Sequence, residues 1–109
     1  MAWLVKEGQV VASLEIADSR SARRRGLLGR DSLDGAFLIS PARSVHSFGM
    51  QFDLDVALVD SSGRVVAIRP LPRRRVVRPR RHVSAVVEAR RGAFAKWQVQ
   101  EGDVVEFRQ

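Results

Sequence analysis

The sequence has no cysteine and only two histidines among its 109 residues. The lack of cysteine excludes disulfide bonds, thiolate nucleophiles, and the zinc or iron–sulfur sites that depend on thiolate ligands. With His46 and His82 as the only imidazoles, a zinc site would have to rely on carboxylates in an unusual geometry. We therefore expect neither a bound metal nor a cofactor.

Long apolar runs are also missing. The apolar residues at the N-terminus give way to Lys6 and Glu7, far short of the apolar core of a signal peptide. No segment approaches the roughly 20 apolar residues that a membrane-spanning helix requires. We therefore predict a soluble, cytoplasmic protein, and its length predicts one domain over residues 1–109.

Arginine dominates the charge, since the net charge is +7 and only two of the 19 basic residues are lysines. The arginines concentrate in two clusters, which are Arg20, Arg23, Arg24, Arg25 and Arg30, and then Arg73, Arg74, Arg75, Arg78, Arg80 and Arg81. Guanidinium groups bind phosphate and carboxylate through paired hydrogen bonds, so both clusters are candidate sites for an anionic ligand or a polyanion. The alternative is an arginine-rich composition that fills solvated positions. The second cluster has no aromatic residue, so any nucleic-acid binding there would be non-specific and salt-sensitive.

Short segments rich in Val, Ile and Leu, separated by turn residues, predict a mainly β protein. Two hairpins are indicated, one turning at Gly8 and one at residues 61–63. The predicted strands are residues 2–7, 9–17, 36–39, 54–59, 64–68, 82–89 and 104–107, with residues 45–49 as a further strand or an extended loop. Seven or eight short strands with one or two short helices favour a compact β-sandwich or a partly open barrel.

One basic helix is predicted over residues 19–29, with Asp18 as its N-cap. Gly26 and Gly29 limit its length, and Gly29 is the candidate C-terminal stop. The second arginine cluster falls in residues 70–81, a segment that holds three prolines and six arginines. Because proline has no backbone N–H to donate, this segment is expected to be an exposed loop or ribbon.

Motifs spaced along nearly the whole chain form a recognisable set. They are residues 17–19 (ADS), Arg24, residues 26–30 (GLLGR), 45–60 (VHSFGMQFDLDVALVD), 63–66 (GRVV), 87–89 (VEA), 92–93 (GA) and 101–103 (EGD). Together they resemble the domain of unknown function 192 family, over about residues 11–107. The resemblance implies a compact β-sandwich or barrel, and it implies no established activity.

Asp55 is the most informative single residue, because its neighbours at 54 and 56–58 are all apolar. Burial is therefore expected on either face of its strand. A buried carboxylate costs several kcal/mol unless it is paired or hydrogen-bonded, so Asp55 should have a partner. Glu88, at the end of the strand predicted over residues 82–89, is likewise expected to need a partner if it is buried. His46 precedes Asp55 in the central motif.

One hypothesis joins the histidine and the two carboxylates in a single pocket, with an arginine nearby to bind an anionic group. The candidate ligand-binding residues are His46, Asp55, Glu88, Arg24, Arg43 and Met50. The alternative is a structural network that fixes strand order, for example an ion pair between Arg24 and Asp55. Acidic residues in small β domains are more often structural than catalytic, which favours this alternative. Met50 alternates with Phe48 and Phe52, a spacing typical of a core, with a ligand groove as the alternative.

Three functions are compatible with these patterns. The first is a small binding or accessory protein with a polar pocket near His46, Asp55 and Glu88. The second is binding of an anionic polymer, either nucleic acid or a membrane surface, through the two arginine clusters. The third is a hydrolase that uses the acidic pair with His46, because burial shifts the pKa values of two carboxylates apart. No serine-nucleophile, phosphate-loop or HExxH motif is present, so the sequence identifies no catalytic residue, ligand or partner.

Overall fold

The computed structural model describes residues 1–47 and 50–109, and this part of the chain forms nine β-strands and two short helices. Phe48, which the sequence groups with Met50 and Phe52, lies outside the described residues. The strands are β1 Ala2–Lys6, β2 Gln9–Ile16, β3 Ala36–Ile39, β4 Val45–His46, β5 Leu54–Asp60, β6 Val65–Leu71, β7 Val76–Val77, β8 Val83–Arg90 and β9 Val105–Arg108. The helices are α1 Arg20–Arg25 and α2 Ala93–Lys96. Neither of these two helices has the length and apolar character of a membrane span.

Seven strands form one curled sheet in the order β6-β5-β8-β3-β2-β1-β9, and β4 and β7 form a separate two-stranded sheet. All neighbours in the large sheet are antiparallel except β2 and β3, which are parallel. The two edges approach each other where Arg64 bridges Val104, and the amide of Val65 donates to Asp103 O at 2.8 Å. This architecture confirms the prediction of a mainly β protein and corresponds to its partly open barrel.

Each face of the curled sheet carries its own apolar core, because side chains alternate between the two faces of a strand. One core draws buried residues from all seven strands, so it fills the concave interior of the barrel. The other lies on the convex face of β3, β5, β6 and β8, under residues such as Leu27, Leu33 and Met50. The central strands β5 and β8 are consequently buried on both sides.

Helix α1 is shorter than the predicted helix over residues 19–29. Ser19 rather than Asp18 is the N-cap, and its Oγ accepts a hydrogen bond from the amide of Ala22 at 3.0 Å. The helix ends at Gly26, where φ is +53°, three residues before the predicted stop at Gly29. Left-handed backbone is accessible to glycine without a Cβ clash, so the first available glycine terminates the helix.

The segment of residues 70–81 forms a ribbon that is held to the rest of the fold by strand pairing and by the buried side chain of Ser47. Pro70 belongs to β6, an edge strand, where a proline removes no hydrogen bond from the sheet interior. Further along, β7 pairs with β4. Ser47 has no exposed surface, its Oγ donates to Pro72 O, and it also accepts from the amide of Arg75 at 2.8 Å. The six arginines of the ribbon remain exposed.

Replacing Gly63 by alanine should weaken the contact that nearly closes the barrel. Gly63 has a φ of +88°, and a Cβ there would overlap the carbonyl oxygen of Val105, whose amide donates to Gly63 O at 2.8 Å. Gly8→Ala is the matched control, because Gly8 also has a positive φ but no atom within 4 Å of an added Cβ. We expect the control to lose about 1–2 kcal/mol of unfolding free energy, and Gly63→Ala to lose about 1–3 kcal/mol more, measured by urea denaturation. Equal losses would show that the closure does not depend on this contact.

Candidate functional site

Glu88 is a buried carboxyl on the convex face of the sheet. It lies in β8 opposite Phe37 of β3 and Val56 of β5, and only 2% of the residue is exposed. Its Oε1 atom has no hydrogen-bond partner among the described residues. Because burial penalises the charged form, the pKa of Glu88 is raised to about 7. Within residues 1–47 and 50–109, Glu88 is therefore a buried carboxyl with one oxygen that no donor satisfies.

A cavity of about 320 Å³ lies over Glu88, between the convex face of the sheet and the segment that contains α1. Its deep part is apolar and is formed by the buried residues Leu27, Ile39 and Met50. Its rim is basic and is formed by Arg23, Arg24, Arg25 and His46. Cavities of this volume are at the lower end of those that bind small molecules.

The turn at the end of α1 shapes the cavity. Gly26 ends the helix with a positive φ, and the chain then continues to Leu27, which is 1% exposed. A Cβ built on Gly26 would lie 3.8 Å from Glu88 Oε1 and 4.0 Å from Ile39 Cδ1. The backbone of the turn therefore passes directly over the buried carboxyl.

The rim arginines are available for an anion. Within the described residues, no salt bridge or side-chain hydrogen bond involves Arg23, Arg24 or Arg25. Arg30 differs from them, because it forms a paired interaction with Glu15. That hydrogen bonding lowers the pKa of Glu15 and raises the pKa of Arg30. The first arginine cluster thus divides into Arg30, which is paired with Glu15, three arginines that line the cavity, and Arg20, which does neither.

Asp55 lies on the opposite face of the sheet from Glu88. In the pairing of β5 with β8, Glu88 is opposite Val56 while Asp55 is opposite Ala89, and adjacent residues of a strand point to opposite faces. Asp55 is half-buried, and its Oδ2 accepts a hydrogen bond from the amide of Gly92 at 2.7 Å. It therefore braces the turn between β8 and α2, and the ion pair suggested between Arg24 and Asp55 is not formed.

The structure thus separates the candidate residues into two groups. Arg24, His46, Met50 and Glu88 line one cavity, and Asp55 lies against a different concavity beside Phe94 and Val99. Arg43 is exposed and does not line the cavity, although both of its chain neighbours do. The acidic pair required by the hydrolase hypothesis is not brought together. Within residues 1–47 and 50–109, no group of three or more acidic and histidine side chains has the arrangement of a metal site.

Several residues that form the cavity are not among the predicted ligand-binding residues, including Arg23, Arg25, Leu27 and Ile39. The sequence predicts Arg23 and Arg25 only as part of the polyanion surface. Gly26, one of the two glycines expected to limit the helix, is the signal for these residues, because the helix ends there and the chain then returns to the sheet.

The arginines of residues 73–81 form a second, separate surface. Arg73 contacts Asp53 through its backbone amide at 3.1 Å and its Nε at 3.9 Å, and Arg91 approaches the same carboxylate at 3.7 Å. Among the salt bridges of the described chain, none involves Arg74, Arg75, Arg78, Arg80 or Arg81. This surface is therefore strongly basic and largely uncompensated.

Comparison with solved structures supports the fold. The chain superposes on a crystal structure of a protein of unknown function from Novosphingobium aromaticivorans with a TM-score of 0.79 and 19% identity, covering 96% of this chain and 82% of that one. A crystal structure from Sinorhizobium meliloti, named a "putative transcription regulator", gives a TM-score of 0.77 and 23% identity, covering 97% and 91% of the two chains. At these identities the similarity shows the fold alone.

Comparison with known sequences shows the family. A UPF0127 protein of Thermococcus kodakarensis is 30% identical over an alignment 100 residues long, which covers 86% of this chain and 64% of that protein. A UPF0127 protein of Thermococcus gammatolerans is 31% identical over 100 residues, covering 86% and 65%. The chain thus spans just under two thirds of the length of these relatives. The family model DUF192 (Uncharacterized ACR, COG1430) matches residues 2–107, so the chain belongs to the DUF192 family.

Proposed function

We propose that this protein binds a small ligand in the cavity over Glu88. The observation that carries the proposal is the buried carboxyl oxygen that lacks a partner among the described residues. An unsatisfied buried polar group costs about 1–3 kcal/mol, and an apolar residue of similar shape would avoid that cost. A ligand that hydrogen-bonds to Glu88 would remove the penalty only in the bound state, which favours binding.

The composition of the cavity supports the same proposal. Ligand sites combine apolar walls with a few polar groups that fix orientation, and here Leu27, Ile39 and Met50 surround a single carboxyl. Perturbed pKa values also cluster at functional sites, and Glu88 has a pKa of about 7. The functional hypothesis thus retains His46, Glu88, Arg24 and Met50 and no longer includes Asp55 or Arg43.

Blocking the cavity should abolish ligand binding. Ser44 lines the rim and is exposed, so Ser44→Trp should obstruct the entrance without disturbing the core. Ser61→Trp is the control, because Ser61 is exposed in the turn between β5 and β6. The experiment is an NMR screen of metabolite-sized neutral, anionic, cationic and zwitterionic compounds against backbone amides. We expect binders that shift residues around Glu88 in the wild type and in Ser61→Trp but not in Ser44→Trp. A screen without such binders would contradict the proposal.

The stability of the protein should fall as the pH rises through the pKa of Glu88. The folded pKa of about 7 lies above the ordinary value of 4.5, so the folded state binds more protons between these values. The stabilising effect of the protonated form is therefore fully present below pH 4.5 and is lost as the pH passes 7. Relative to Glu88→Gln, which does not titrate, the wild type should lose on the order of 3 kcal/mol of unfolding free energy between pH 4.5 and 8.5.

Urea denaturation of both proteins across this range measures the difference directly. Glu15→Gln serves as the control, because the pKa of Glu15 is lowered by Arg30 and its contribution is constant above about pH 5.5. A difference between wild type and Glu88→Gln that is independent of pH would show that Glu88 is hydrated or paired.

A second candidate function is polyanion binding by the exposed arginines of residues 73–81. If all six contacted phosphates of duplex DNA, the slope of log K against log salt would be about −5. Replacing Arg78, Arg80 and Arg81 by glutamine should reduce the magnitude of this slope by about 3. The charge-matched control replaces the exposed residues Arg43, Arg64 and Arg90 and should preserve the slope. Binding that is absent even at low salt would exclude this function.

A further inference from the structure

The cavity over Glu88 presents two different recognition groups at two depths. Glu88 is 2% exposed and lies in the deep part, whereas Arg24 and Arg25 are exposed at the rim. The apolar residues Leu27, Ile39 and Met50 line the space with them. A ligand complementary to the whole cavity therefore has one polar group inside, an apolar middle, and a second polar group near solvent.

The chemistry of each end follows from the side chains that face it. A carboxyl oxygen without a partner is complemented by a hydrogen-bond donor, and a cationic N–H forms the stronger, charge-assisted bond to a carboxylate. The guanidinium groups at the rim are donors only, so they are complemented by a carboxylate or phosphate. An amine at the inner end and an acid at the outer end would leave neither charge unpaired.

The volume limits the size of the ligand. A cavity of about 320 Å³ lies at the lower end of the range for small-molecule sites, which favours a ligand with a short chain. Nucleotides and peptides of several residues are larger than this. We propose that the cavity binds an amino acid whose amino group and acid group stand at opposite ends of an apolar chain, with the amine at Glu88 and the acid at Arg24 and Arg25. This inference rests on the proposed small-ligand function and specifies its ligand class.

Three probes of matched length separate the two ends. The probe 8-aminooctanoate carries both groups, octanoate lacks the amine, and octylamine lacks the acid. Isothermal titration calorimetry with the full chain at low salt should show 8-aminooctanoate binding at least about tenfold more tightly than either of the others, since a hydrogen bond to a charged group has about this effect on affinity.

Two sets of variants assign the ends. Glu88→Leu replaces the unsatisfied carboxyl by an apolar group, so it should remove the preference for 8-aminooctanoate over octanoate while octanoate still binds. The double variant Arg24→Gln and Arg25→Gln should weaken both acids about tenfold and leave octylamine unchanged. Arg20→Gln is the control for helix charge, because Arg20 is exposed in α1 and does not line the cavity.

The outcomes distinguish this inference from the function on which it rests. Octanoate or octylamine binding as tightly as 8-aminooctanoate would overturn the two-ended ligand and leave the small-ligand function intact. If Glu88→Leu still preferred 8-aminooctanoate over octanoate, the two-ended ligand would likewise be overturned and the small-ligand function would remain. If none of the three probes binds, the ligand class is overturned, and the compound screen with Ser44→Trp decides the small-ligand function separately.

Discussion

Double burial of β5 and β8 is the constraint on which the rest of the structure depends. Both faces of these strands meet an apolar core, so a polar side chain on either of them has no access to bulk water unless the covering layer is open. Asp55, near one end of β5, reaches the amide of Gly92. Glu88, between Val56 and Phe37 in the register, faces the covering layer, which leaves a cavity over it. Because side chains alternate between the two faces of the sheet, Asp55 reaches a structural partner on one face, whereas Glu88 faces a cavity on the other.

The layer on the convex face is built from short elements. It consists of a six-residue helix, the turn at Gly26 and the segment before β5. The two-residue strands β4 and β7 and the buried Ser47 connect this layer to the arginine ribbon. His46 belongs both to the cavity rim and to that small sheet. The two basic surfaces are therefore linked through one short strand pair.

The sequence predicted the positions of the strands better than the way in which the strands and their side chains come together. Val- and Ile-rich segments flanked by turn residues located β1, β2, β3, β5, β6, β8 and β9, because those signals are local. Whether Asp55 and Glu88 lie on the same face depends on strand register. Because β5 has apolar residues on both faces, its sequence shows no alternation that would assign Asp55 to one of them. The end of α1 depended on which glycine adopts a positive φ. Arg24, His46 and Glu88 were identified as candidates by residue type, but their shared cavity depended on how residues 20–28 return to the sheet.

No hydrogen bond among the described residues accounts for the carboxyl at position 88. A buried polar residue sometimes specifies register, because the incorrect pairing would leave it without a partner. That argument does not apply here, since Oε1 lacks a partner among the described residues even in the register that forms, and Asp55 rather than Glu88 makes the bond that a slip of one residue would break. A leucine at position 88 would extend the apolar face formed by Val56, Val86 and Ile39. Replacing Glu88 by leucine would therefore remove a destabilising group from the fold, and the proposed ligand would satisfy the same oxygen in the bound state.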